Sequence, residues 1–410
     1  MKNSSLSQRI GLYLAIFGPG LVVMLADTDA GSIITAAQSG ASWGYKLLLV
    51  QFILMPILFI AQELTVRLGI VTGKGHGELI SQYFGKLWAW VSVTTMVVTC
   101  IGAIITEFSG LAGVGLIFGI PKFITLITVI AFLILIAVTG TYNSVEKVAL
   151  CIGAFELVFF IVAWQAKPDL PHMAAEMIHI PLFNTNYLYL LAANIGAVIM
   201  PWMIFYQQSA VVDKGLTIKH IKASRWDTAF GSVITQLVMA AVLITTAATL
   251  YIHNNDSSIN TVQEITHAIT PYLGEKVGTV LFSLGMVGAS LIAAIVVTLT
   301  AAWGIGEVTG YKRSLQNSPK EAPWFYMLYC LVLIGAGILV ASNTNLIKIS
   351  VGVEVMNAIA LPIVLGFLFL LAKKALPKEY QLKGYYGWIC FGILSVTAAF
   401  GFIGGLWGSL

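Results

Sequence analysis

Eleven apolar windows, each long enough to cross a bilayer, constrain this chain more than any other feature. They lie near residues 12–41, 46–69, 88–117, 122–140, 148–165, 187–211, 228–252, 277–303, 325–342, 350–372 and 387–408. A hydrocarbon layer of roughly 30 Å takes about 20 helical residues to span, and lipid offers no water to satisfy a bare backbone. Helices close their own hydrogen bonds, so the expected fold class is an all-α polytopic membrane protein with about 11 transmembrane helices. Composition agrees: 58% of residues are hydrophobic, 10% are charged, and mean hydropathy is +0.89, which excludes a soluble globular domain. Lys and Arg sort by side. With the N-terminus in the cytoplasm, 17 fall inside and 5 outside (Lys46, Lys122, Lys167, Lys276, Lys348). That bias predicts N-terminus in and C-terminus out, with the cytoplasmic (inner) membrane of a prokaryote as the expected location. Lys2 and Arg9 precede the first apolar run, but no small-x-small cleavage site and soluble domain follow, so the run reads as a first span rather than a signal peptide.

The connections are too short for a soluble catalytic domain. Cys100, Cys151, Cys330 and Cys390 all lie in apolar segments with no metal-ligand spacing and read as core fillers. His172, His179, His253 and His267 fall in the outer connections, and His76 and His220 in cytoplasmic ones, so no histidine lies in a span. An intramembrane imidazole relay is therefore excluded, and the absence of an HExxH pattern argues against a metalloenzyme. The glycine-rich Thr72–Gly77 loop lacks Walker spacing and follows no strand, so it is not a nucleotide site.

Within Gly18–Tyr45, Asp27 and Asp29 stand in an apolar run beside Thr28, Gly31 and Ser32. A carboxylate at membrane depth costs roughly 2.5–3.5 kcal/mol, so it usually faces a cavity, a partner charge or a cation. A helix broken there frees backbone carbonyls that ligate a cation alongside the acid. The bland alternative is a kinked helix with both acids near the interface. Span 6, Asn194–Ser209, carries a matching interruption at Gly196 and Pro201. Corresponding broken helices in two halves predict an inverted-repeat (5+5) transporter fold with broken helices 1 and 6. The repeats are expected at 12–165 and 187–372, with 387–408 as an extra span. Glu63, Glu156, Glu354 and Asn357 line an ion path, hydrogen-bond a helix break or sit near an interface, and Trp226-Asp227 reads as an interfacial anchor with a helix-start acid.

The stretches GPGLV (18–22), QSGASWGY (38–45), QELTVRLGIVTGKGHGELI (62–80), TEFSGLAG (106–113), GAVIMP (196–201) and SRWD (224–227) together, in this order, resemble the Nramp family of divalent metal transporters. That resemblance implies a metal site built from an Asp-Pro-Gly-Asn motif in span 1 and an alanine carbonyl and methionine sulfur in span 6. The matching positions are Asp29-Ala30-Gly31-Ser32, Ala197 and Met200, so proline has become alanine and asparagine serine. Asp27 is an added acid where the family has an aromatic or apolar residue. The family's two span-6 histidines correspond to Trp202 and Gln207, and its span-3 aspartate to Ile104, while Glu107 is kept. Arginines near the start of span 9 give way to the aromatic stretch Trp324–Met327.

The resemblance thus implies a metal set of Asp29, Ser32, Ala197 and Met200, with Asp27, Gly31, Glu107, Trp202 and Gln207 in a second shell or along the ion path. A thioether favours manganese or iron; a hydroxyl, an extra carboxylate and retained water favour magnesium. Loss of the titratable relay implies transport without proton coupling, as in the family's magnesium-transporting branch. No cofactor is expected, because the ion (Mn2+ or Mg2+) is the substrate. The expected surroundings are the lipid bilayer, with no nucleic-acid partner and a monomeric chain. A proton-coupled Mn2+/Fe2+ symporter, a passive channel and a same-fold transporter of a non-metal substrate remain open alternatives at this point.

Overall fold

The computed structural model describes residues 18–140, 142–251, 259, 261–266, 274–342 and 346–409. Lys2, Arg9, the start of the first apolar window, His253 and His267 lie outside the described residues. Among the described residues every regular element is helical. In chain order they are α1 (Pro19–Asp27), α2 (Ala30–Trp43), α3 (Leu48–Thr72), α4 (His76–Phe84), α5 (Lys86–Ile117), α6 (Lys122–Thr139), α7 (Tyr142–Gly153) and α8 (Val158–Gln165). There follow α9 (Leu170–Glu176), α10 (Thr185–Val198), α11 (Pro201–Asp213), α12 (Ile221–Thr246), α13 (Glu275–Thr309), α14 (Pro323–Ser342), α15 (Leu346–Lys374) and α16 (Gly384–Ser409). Among the described residues ten spans are long and apolar enough to cross a membrane, and the pair α1 and α2, bent by 47°, makes an eleventh if taken as one span. The fold is the expected polytopic one.

Burial ranks the spans. The α10–α11 span is 89% buried in its most apolar window, whereas α6 is 17% buried, so the broken span is central and α6 faces lipid. α10 packs on α15 and α16, α5 on α13, and α12 on α1, α2 and α3. Trp88, Trp164, Trp226, Trp324, Trp388 and Trp407 remain exposed, as expected of amphipathic rings that anchor spans at the membrane–water boundary.

One assignment changes and one is decided. Asp227 is buried, and its carboxylate accepts the amides of Gly20 (2.8 Å), Leu21 (3.2 Å) and Gly18 (3.3 Å). It caps the N-terminus of α1 from α12 rather than marking an interface, supplying acceptors to amides that have no intrahelical partner. Asp227→Ala is expected to cost about 1–3 kcal/mol, read as a lower thermal midpoint in detergent, with Asp227→Asn losing less because one acceptor oxygen remains. Glu63, open between an ion path and a structural bond, forms a structural one. It is held by Arg67 at 2.6 Å and by Arg225 at 2.6 Å, and ties α3 to α12; Arg67 reaches on to Tyr380 O at 3.1 Å.

Candidate functional site

Both breaks arise from local backbone chemistry. α1 stops at Asp27, Thr28 turns (φ −78°, ψ 41°), and Asp29 is extended (φ −68°, ψ 175°). Asp29 then caps α2, its Oδ1 accepting from Ser32 N at 2.7 Å, as short carboxylates do at a helix start. In span 6, Pro201 disfavours helix in the residue before it. Met200 is accordingly extended (φ −86°, ψ 140°), and Pro201 opens α11, where its missing N–H costs nothing.

The glycines play a different part from the one expected. Gly31 lies in the first turn of α2 and Gly196 inside α10, so neither makes its break. Each admits a neighbour from α15. A Cβ on Gly31 would overlap Glu354 Oε1 and come within 3.2 Å of Thr106 Oγ1; one on Gly196 would overlap the Glu354 carbonyl oxygen and lie 2.7 Å from Ala358 N.

The two breaks meet. Ser32 Oγ donates to Ala197 O at 2.9 Å, joining two of the expected ligands across 165 residues of sequence. Asp29 Oδ2 has no hydrogen-bond partner among the described residues. Met200, three residues after Ala197, accepts Trp202 Nε1 on its sulfur at 2.9 Å. Trp202 thus orients the thioether. Glu107 accepts Ala30 N at 3.1 Å and acts electrostatically on Asp29. Glu354 is fully buried; Asn357 Nδ2 donates to its Oε2 at 2.9 Å while Oε1 stays unpartnered. Gln207 donates to Thr228 Oγ1 at 2.9 Å and leaves its own carbonyl free, standing away from the Met200–Trp202 pair. Asp27 is 1% exposed with neither carboxylate oxygen bonded, so it is shielded from solvent.

Among the described residues no three His, Cys, Asp or Glu side chains converge as a preformed metal cage. The arrangement offers something else: a carboxylate, a hydroxyl, a carbonyl and a thioether at two helix ends, with further acids around them. Buried polar atoms are nearly always partnered, so the free oxygens on Asp27, Asp29 and Glu354 imply that ions or water complete this centre.

Access is unequal. One face holds a cavity of about 960 Å³ lined by residues including Gln38, Ser42, Tyr189 and Tyr251. Below it Asn194 bridges Gln51 (2.6 Å) and Ser39 (2.7 Å). Elsewhere a cavity of about 210 Å³, lined by residues including Gly75, Ser209, Glu307 and Arg313, sits beside a hydrogen-bonded cluster. Glu307 accepts Ser209 Oγ at 2.5 Å and Gly77 N at 2.7 Å, and Gln208 holds Lys74 O and His76 Nδ1, each at 2.9 Å. His76, expected in a cytoplasmic loop, is buried, which pushes its imidazole down to about 4 and keeps it neutral. The glycine-rich 72–77 loop therefore packs against α11 and α13.

The sequence profile of the Natural resistance-associated macrophage protein-like family matches residues 20–404. The chain belongs to the Nramp family. The "Divalent metal cation transporter MntH" of Klebsiella pneumoniae (strain 342) is 28% identical over 305 residues, 73% of each chain. Among solved structures, the Eremococcus coleocola manganese transporter in complex with an aromatic bis-isothiourea substituted compound superposes with a TM-score of 0.78 at 18% identity, over 98% of this chain and 88% of that one. MhsT in complex with L-phenylalanine shares the fold at a TM-score of 0.66 and 11% identity, over 95% of this chain and 98% of that one.

Proposed function

We propose that this Nramp chain is a transporter rather than an enzyme, moving divalent metal ions by alternating access around Asp29, Ser32, Ala197 O and Met200. The observation that carries the reading is the 2.9 Å bond from Ser32 Oγ to Ala197 O, which brings both helix breaks to one point beside the free Oδ2 of Asp29. The MntH relative is named for divalent cations and the Eremococcus coleocola relative for manganese. Met200 supports manganese or iron as cargo here; Ser32, Asp27 and Glu354 add hard oxygen donors that support magnesium.

The repeats run 12–165 and 187–372 with 387–408 added; in the cytoplasmic membrane of a prokaryote the N-terminus lies on the inner side and the C-terminus on the outer, and the protomer works alone. On that orientation the cavity of about 960 Å³ is the outer vestibule and the Glu307 cluster closes the inside. Trp202 and Gln207 do not titrate, so the histidine route for protons is absent. A divalent ion moving inward through 100 mV gains about 4.6 kcal/mol, enough for about a thousandfold accumulation.

The test is voltage-driven Mn2+ uptake into proteoliposomes with and without excess Mg2+. The expected result is uptake that Mg2+ suppresses strongly, without acidification of the lumen, and a shift toward Mg2+ in Met200→Ala. No uptake of either ion above protein-free vesicles contradicts the function.

A further inference from the structure

Five buried acids surround the break in span 1, and they differ in how they are held. Asp29, Glu107 and Glu354 each accept an N–H donor, from Ser32 N, Ala30 N and Asn357 Nδ2. Asp27 and Glu156, 1% and 0% exposed, have none: all four of their carboxylate oxygens lack a hydrogen-bond partner. The charged side chains that act on Asp27 are Asp29, Glu354 and Glu156, all acidic.

The two unheld acids belong to one place. Glu156 lies in a 3-10 turn, Ala154–Leu157, that interrupts span 5 between α7 and α8. Just before it, Gly153 rests on the last turn of α1, where a Cβ would meet Leu25 Cδ1 at 2.9 Å and Leu25 Cβ at 3.2 Å. Gly288 of α13 closes the other side, within 2.7 Å of Ile152 O and 3.1 Å of Phe155 Cβ by the same measure. Thr28 stands beside Glu156, its hydroxyl within reach of both that carboxylate and Met24 O, the latter at 3.4 Å. Asp27 is the final residue of α1, and Ala30 N, the amide that would bond Ala26 O in a continued helix, donates to Glu107 instead. The carbonyl end of α1 adds its partial negative charge to the same spot.

We propose that Asp27, Thr28, Glu156 and the C-terminal carbonyls of α1 form a second cation position that binds an alkali ion beside the metal site. The donor set is oxygen only, with no nitrogen or sulfur. A single proton would partner one or two of four orphaned oxygens, whereas an alkali ion takes carboxylate, hydroxyl and carbonyl oxygens together. Half-helix C-terminal ends and unwound carbonyls serve cations in this way in broken-helix transporters. The position shares the charge of Asp27 with the metal centre but is set apart from Ser32, in the first turn of α2 beyond the break, and from Ala197, in the last turn of α10. Its occupancy would neutralise part of the acid cluster and bias the closure of span 5 onto span 1, coupling metal movement to an alkali gradient without histidine.

The experiment uses the full chain in nanodiscs. Binding of radioactive sodium is measured directly, with potassium as competitor and choline as inert control, in wild type and Glu156→Gln; Mn2+ binding is then titrated in each salt. The expected result is saturable sodium binding that falls at least tenfold in Glu156→Gln. Mn2+ affinity in wild type should change several-fold between alkali salt and choline. Glu156→Gln should bind Mn2+ while losing that dependence, which also shows that the variant is folded. No specific sodium or potassium binding to wild type, or a Glu156→Gln protein that binds alkali ions as wild type does, overturns the proposal. Sodium binding without any Mn2+ binding upholds this site and overturns the metal reading instead, so the two failures are distinguishable.

Discussion

Replacing Asp29 by alanine is expected to abolish divalent-metal binding and transport. Two losses combine in that variant. The anionic ligand disappears, an effect that should exceed the 10–100-fold typical of losing an outer partner of a metal ligand. The cap on α2 disappears with it, at about 1 kcal/mol. Asp29→Asn separates them, since an amide oxygen can still accept Ser32 N, now at 2.7 Å, but carries no charge. Titration of Mn2+ with the asparagine variant should show near-wild-type thermal stability and at least a hundredfold weaker binding. Undiminished Mn2+ and Mg2+ transport in either variant would sink the site assignment.

The second large effect is on folding. In Gly196→Ala the new methyl falls on the carbonyl oxygen of Glu354 and 2.7 Å from Ala358 N. Both are helical backbone on α15, which cannot rotate away as a side chain can. α10 and α15 must separate, at about 1–3 kcal/mol or more for an overpacked core. Gly335→Ala in α14 is the matched control, because nothing lies within 4 Å of that position. Thermal unfolding in detergent should show a clear drop for Gly196→Ala and none for Gly335→Ala. Equal midpoints would mean that the α10–α15 crossing is looser than described.

How much of this was legible beforehand depends on the physics behind each residue. The spans were, because apolar length is a one-dimensional property: the window at 325–342 became Pro323–Ser342 and that at 387–408 became Gly384–Ser409. Asp29 was legible as an intramembrane acid, and Pro201 as a helix interruption. The glycines misled. Gly31 and Gly196 read as breakers, yet their role is to leave room for Glu354, and that contact joins residues more than 150 positions apart. Asp227 read as a local helix-start acid because its true partners, the amides of Gly18, Gly20 and Leu21, belong to another span. Glu63 stayed open between an ion path and a structural bond because Arg225, which pairs with it, comes from α12. The acid at 354 carried one usable hint, Asn357 a helical turn later, which now donates to it at 2.9 Å.

The most direct measurement is the anomalous scattering of Mn2+ in crystals of the full chain. The account predicts one dominant peak at the meeting of the two breaks, ringed by Asp29, Ser32, the Ala197 carbonyl and the Met200 sulfur, and its loss in Asp29→Asn. A dominant peak elsewhere, such as the vestibule lined by Gln38 and Tyr251, with nothing at the breaks, would contradict it.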